Sequence, residues 1–224
     1  MSFKAMIDDI EIPSYSHKQE MFNAISHGLG LLLAIFLMVF GIVQYSNSNI
    51  SLFYLVGLLI FTISAFLVYL VSTLYHYFNP LSFRKKLFRV IDHCTIYLLI
   101  AGTYTPICFV IMQTHVIGLI MVIIQWVGAL IGIVLNAFFF KYKWARIISF
   151  ILYVGMGWLC LYCGGFLYMP MISFAFVLAG GITYTIGSIL YALGKKNLNF
   201  HSIFHVFVLV STILQSVGVL LLFV

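Results

Sequence analysis

His201 and His205 lie four residues apart in "NLNFHSIFHVF" (197–207), at the start of an apolar run that continues to the last residue. On a helix that spacing puts both imidazoles on one face, where they can chelate a single ion. His76, in "STLYHYF" (72–78), offers a third imidazole. Three protein ligands and one open position are the arrangement of catalytic rather than structural zinc. Ser202 stands where an HExxH motif would carry its glutamate, so a general base must come from another segment. Asp92, in "RVIDHCTIY" (89–97), is the carboxylate expected inside the membrane body. Ser72, one turn before His76, can hydrogen-bond a metal-bound water, a ligand or Asp92. The chemistry such a set supports is hydrolysis by an activated water, with Asp92 moving the proton.

Other ionisable and sulfur-bearing residues read differently. Asn23 and His27, in "EMFNAISHG" (20–28), are expected to cap and hydrogen-bond the bundle rather than bind metal. His93 points about 100° away from Asp92 on a helix, which suits packing or support of the site. His17 and His115 fall in solvated segments. Cys160 and Cys163 form a CxxC that serves either small-residue packing or an outer-surface disulfide, and Cys94 and Cys108 read as core.

The elements that must position these groups are transmembrane helices. Of 224 residues, 64% are hydrophobic and 7% charged, more apolar surface than a water-soluble domain of this size can hide. A helix needs about 20 apolar residues to cross the hydrocarbon core. Runs of that kind lie near 21–45, 50–77, 88–111, 116–139, 146–163, 170–193 and 200–224. The expected fold is an all-α integral membrane protein, a seven-helix bundle forming one domain over 21–224. Residues 1–20 form a short cytoplasmic segment. That segment is polar, without the apolar core of a secretion signal, so the first span is expected to direct insertion.

Charge sets the orientation. All eleven lysines and arginines fall before the first span, in the gaps after the second, fourth and sixth, or, as Arg89 and Arg146 do, within the first two residues of the span that follows such a gap. The positive-inside rule then puts the N-terminus in the cytoplasm and the C-terminus outside. The basic pI of about 9.1 reports topology and attraction to anionic inner-leaflet lipids, not nucleic acid. In this orientation His76, Asp92, His201 and His205 share one depth, near the cytoplasmic edge. An ionisable group inside a membrane marks a functional site by default. Packing signals accompany it: Gly128 and Gly132 form a GxxxG pair, Ala179, Thr183 and Gly187 a small-residue stripe, and Gly102 with Pro106 is expected to bend the third span.

The ordered set "ExxN…H" (Glu20, Asn23, His27), "SxxxH" (Ser72, His76), the Asp92–His93 pair and the late HxxxH (His201, His205) resembles the hemolysin III family of the progestin and adipoQ receptor superfamily. "LIAGTYTPI" (99–107) is similar to that family's third helix. The resemblance covers essentially the whole chain. It implies a zinc ion held by His76, His201 and His205, with a water near Asp92 and Ser72. It further implies a bacterial-type, multi-pass protein of the plasma membrane. For activity it implies ceramidase-like hydrolysis of a lipid amide or ester, with membrane lipids as partners and a lipid substrate between helices. Two alternatives belong to other classes: a hemolysin-type cytolysin or pore former, and a non-catalytic zinc-containing sensor of membrane state. A pore ordinarily carries polar residues through the full bilayer, whereas here they cluster at one depth.

Overall fold

The computed structural model describes residues 3–194 and 197–223, and every regular element in them is helical. The helices run in chain order as α1 (Phe3–Asp8), α2 (His17–Ser46), α3 (Leu52–Tyr77), α4 (Phe83–Met112), α5 (Ile117–Phe139), α6 (Lys143–Gly157), α7 (Leu159–Tyr162), α8 (Met171–Leu193) and α9 (Asn199–Leu220). A 3-10 turn at Gly165–Tyr168 links α7 to α8. Lys195 and Lys196, two of the cations used to read orientation, lie outside the described residues.

Local sequence sets where the first long helices begin. Ser16, Ser51 and Ser82 are the N-caps of α2, α3 and α4, each hydroxyl accepting from the backbone N–H three residues on. At Ser16 the cap is reciprocal, since Gln19 reaches back to the serine N–H at 2.9 Å. Each cap satisfies donors that a helix start leaves unpaired. The helices beyond them are apolar nearly all round. Met21, Ile25, Leu29, Leu32, Phe36 and Val39 run along an exposed face of α2, and Ile123, Val127, Leu130, Ile131 and Val134 do so on α5. Water would not tolerate such continuous stripes, and lipid does.

Six of the helices, α2, α3, α4, α5, α8 and α9, are long and apolar enough to cross a membrane. The chain is therefore a multi-pass membrane protein. The segment expected as a span at 146–163 differs from them. It forms the 15-residue α6, a break at Trp158 and the 4-residue α7. At 1.5 Å per residue, α6 alone covers about 22 Å, less than the ~30 Å hydrocarbon thickness.

Packing follows the chain closely. α2 lies against α3 and α9, α3 against α4, α4 against α5, α5 against α6, and α8 against α9. α4 is the most enclosed of the six long helices, and it continues unbroken through Gly102 and Pro106. The main core gathers Leu58, Phe61, Tyr69, Tyr104, Ile107 and Val208. Residues 1–20 are more than a polar tail. Ile7 and Ile10 are buried against Val90 and Phe140, so α1 is seated beneath α4. Lys86 donates to the Asp8 carbonyl, and Lys141 pairs with Asp9 at 3.2 Å.

Candidate metal centre

α3 delivers His76 and α9 delivers His201 and His205 to one buried point. One nitrogen from each ring lies within 4.8 Å of the others, and the group could hold a metal ion. Nε2 of His201 is 3.4 Å from Nε2 of His76 and 3.1 Å from Nε2 of His205. The i,i+4 spacing on α9 brings the last two rings together, with centroids 4.7 Å apart. His76 comes from the last turn of α3, where the antiparallel run of α3 and α4 also sets Ser72 and Asp92 side by side.

The space beside the histidines is a cavity of about 110 Å³. Asp92, Ser72, His27 and His205 line it together with Tyr184 and Phe204. Ser72 is buried and shares the cavity wall with Asp92. Asp92 itself is half-buried, and the cavity is what leaves it accessible. Hence the structure brings the five residues singled out in the sequence to one locality: three imidazoles around a point, with a carboxylate and a hydroxyl on the adjoining wall.

Two expectations need correction. Asn23 and His27 do not hydrogen-bond the bundle. Both side chains are buried, and neither the amide of Asn23 nor the ring nitrogens of His27 find a hydrogen-bond partner among the described residues. His27 instead packs on His205, ring centroids 3.9 Å apart, and edge-on to Tyr69 at 5.2 Å. Nor is Asp92 alone as a carboxylate inside the helices. Glu20, in the first turn of α2, is buried, accepts from Nδ1 of His76 at 2.6 Å and pairs with Lys85 Nζ at 2.6 Å. Lys85 is fully buried as well, so it is not a free cation in a loop. The sequence did carry a signal for this. Glu20, Asn23 and His27 stand at i, i+3 and i+7, one helix face aimed at the site.

The remaining residues stand outside the three-ring set. His93 bonds the Arg89 carbonyl at 2.9 Å and the Tyr191 hydroxyl at 2.8 Å, and the Tyr191 ring lies 5.7 Å from that of His201, so His93 stands behind the cluster and not in it. His17 and His115 are exposed. Cys160 and Cys163 are free thiols, Cys160 lying 3.8 Å from the Met169 sulfur. Tyr15, ahead of α2, stacks on His201 at 4.9 Å, and burial raises its phenol above the ordinary tyrosine range.

These features define a class, the helical membrane proteins that carry a buried three-histidine cluster beside a largely apolar cavity with one carboxylate on its wall. Within it the chain belongs to the haemolysin-III related family, whose model matches residues 15–216. It is 39% identical over 197 residues to the Hemolysin-3 homolog of Bacillus subtilis (strain 168), covering 87% of this chain and 90% of that protein. To Hemolysin-3 of Bacillus cereus it is 37% identical over 196 residues, 86% of each chain. The hemolysin III resemblance seen in the motifs thus holds over most of the sequence. A multi-pass protein of the plasma membrane fits both the family and the six apolar helices.

Proposed function

We propose that the protein is a zinc-dependent hydrolase of a membrane lipid amide or ester, its site near the cytoplasmic face of a seven-span bundle. The observation that carries this reading is the pair of Nε2–Nε2 separations, 3.4 and 3.1 Å, among three buried imidazoles. Two nitrogens each bound at 2.0–2.1 Å to a tetrahedral zinc would lie roughly 3.3 Å apart, which these two separations match, while all three donor atoms lie within 4.8 Å of one another. Imidazole nitrogens without carboxylates also suit zinc better than calcium or magnesium.

His76, His201 and His205 would hold the ion. Zinc in such a site supplies Lewis acidity toward a carbonyl and brings a water's pKa toward ~7. Asp92, on the cavity wall, takes up the water's proton and returns it to the leaving group. Ser72 orients that carboxylate through its hydroxyl. The apolar remainder of the cavity, including Phe204 and Val208, receives an acyl chain, and the polar end meets a bond just below the headgroups. In the seven-span topology α6 and α7 together form the fifth crossing.

The test begins with metal analysis of the purified protein. Wild type should carry about one zinc per chain, and His76→Ala and His205→Ala far less. Equal zinc in all three removes the site. Asp92→Asn should then retain zinc while hydrolysis of a ceramide or lysophospholipid falls at least about 100-fold, the scale of a lost general base. Zinc without turnover on any lipid favours the sensor, and liposome conductance that survives a chelator favours the pore.

A further inference from the structure

Glu20 and Lys85 have no part in the hydrolysis proposed above, yet their side chains are 11% and 0% exposed. Buried ion pairs gain little stability over apolar packing, so a pair at this place asks for another reason. The two carboxylate oxygens of Glu20 are committed in different directions. Oε1 accepts from Nζ of Lys85 and Oε2 from Nδ1 of His76, both at 2.6 Å. One carboxylate on α2 therefore joins a cation on α4 to a candidate metal ligand on α3.

We propose that Glu20 is a positioning residue of the metal centre: it fixes the ring orientation and tautomer of His76, and Lys85 supplies its counter-charge. The inference rests on the metal reading given above. With Oε1 held by an ammonium, Oε2 is left as an acceptor, so the proton between it and His76 sits on Nδ1. Nε2 then keeps its lone pair, and it is Nε2 that faces His201 at 3.4 Å. A carboxylate behind a ligating imidazole fixes its tautomer and raises its basicity. Lys85 is itself pinned, its Nζ lying 4.5 Å from the centre of the Tyr75 ring. His205 has no such support, because its Nδ1 lacks a partner among the described residues. Of the two, His76 is the ligand whose orientation the protein fixes by a charged hydrogen bond.

The alternative is that the pair merely staples α2 to α4. The two readings part in variants that remove both charges together and leave no lone buried ion. The experiment uses the full chain in detergent, with zinc affinity measured against a chromophoric chelator and the visible spectrum of the cobalt-loaded protein recorded. Glu20→Met/Lys85→Met should bind zinc about 10- to 100-fold more weakly than wild type, with displaced cobalt bands. Glu20→Gln/Lys85→Met, which returns a neutral acceptor to His76, should recover part of that loss. Should the first variant fail to fold, Glu20→Gln/Lys85→Met is compared with wild type directly and is expected to bind several-fold more weakly with shifted bands. Affinity within twofold of wild type and an unchanged cobalt spectrum in a folded variant overturn the inference while leaving the metal centre standing. A wild type that binds no more zinc than His76→Ala overturns the metal reading itself.

Discussion

Tyr15 lies nearly flat on the imidazole of His201, with ring centroids 4.9 Å apart and planes inclined by 23°. The same ring is 5.9 Å from His76. Residues before α2 thus cover the histidine cluster on the side where the chain enters the bundle. They are anchored at both ends, by Ile7 and Ile10 in a small apolar core and by the Ser16 cap. A stacked ring pair contributes about 0.5–1.5 kcal/mol beyond its buried area, up to roughly tenfold in an opening equilibrium. Tyr15→Ala should therefore speed zinc removal by a chelator by several-fold to tenfold, with zinc stoichiometry unchanged. A time course of zinc release in detergent measures it, and an unaltered rate would show that the ring covers nothing.

His27 poses a sharper question, because it packs on His205 with both ring nitrogens unpartnered among the described residues. Its nitrogens do not join the convergent three-ring set, so the structure makes it a neighbour and not a ligand. His27→Ala should keep about one zinc per chain, whereas His205→Ala should lose it, since three protein ligands are the usual minimum for such a site. Plasma emission analysis of the two proteins side by side decides. Zinc lost equally from both would add His27 to the ligands.

How much of this centre was legible in the sequence follows from distance along the chain. His201 and His205 announced themselves through a four-residue spacing on one helix, and His76, Ser72 and Asp92 through a shared depth on either side of a short loop. Glu20 shared a helix face with Asn23 and His27, but nothing paired it with Lys85. The two are 65 residues apart, each in the first turn of a helix, where charges ordinarily face water or headgroups. Only the packing of α2 beside α3, with Lys85 turned inward from α4, makes them partners. The six long helices were readable from hydropathy because lipid-facing and buried residues are both apolar. The break between α6 and α7 was not, since hydropathy runs on through Trp158 while the helix stops there. The folding of α1 beneath α4 was hidden for the opposite reason: two isoleucines in a polar segment give too weak a pattern.

The shortness of α6 makes membrane topology a direct test of the seven-span reading. Taken together, Lys143 to Tyr162 would cover about 30 Å if α7 continued the line of α6, just enough to cross. With seven crossings the two termini lie on opposite sides; with six they share one. Alkaline phosphatase fused after the last residue should be active and a green fluorescent fusion there dark, placing the C-terminus outside. The reverse pattern would mean that α6 and α7 form a re-entrant or interfacial pair, and that the loop cations orient a six-span bundle.

The GxxxG pair on α5 supplies a stability test in which two glycines on one helix should behave differently. A Cβ at Gly132 would lie 2.2 Å from the ring of Tyr97 on α4, a fully buried side chain packed against Tyr153. That ring has no room to retreat, and forcing a methyl into a filled core costs about 1–3 kcal/mol. A Cβ at Gly128 would meet the Met156 sulfur at 3.1 Å instead. Methionine is unbranched and turns aside at little cost. Gly132→Ala should thus lower the thermal midpoint in detergent by several degrees, while Gly128→Ala shifts it by far less. Equal shifts would mean that α4 and α5 do not approach through Gly132, and the wall of helices that holds Asp92 in place would need a different register.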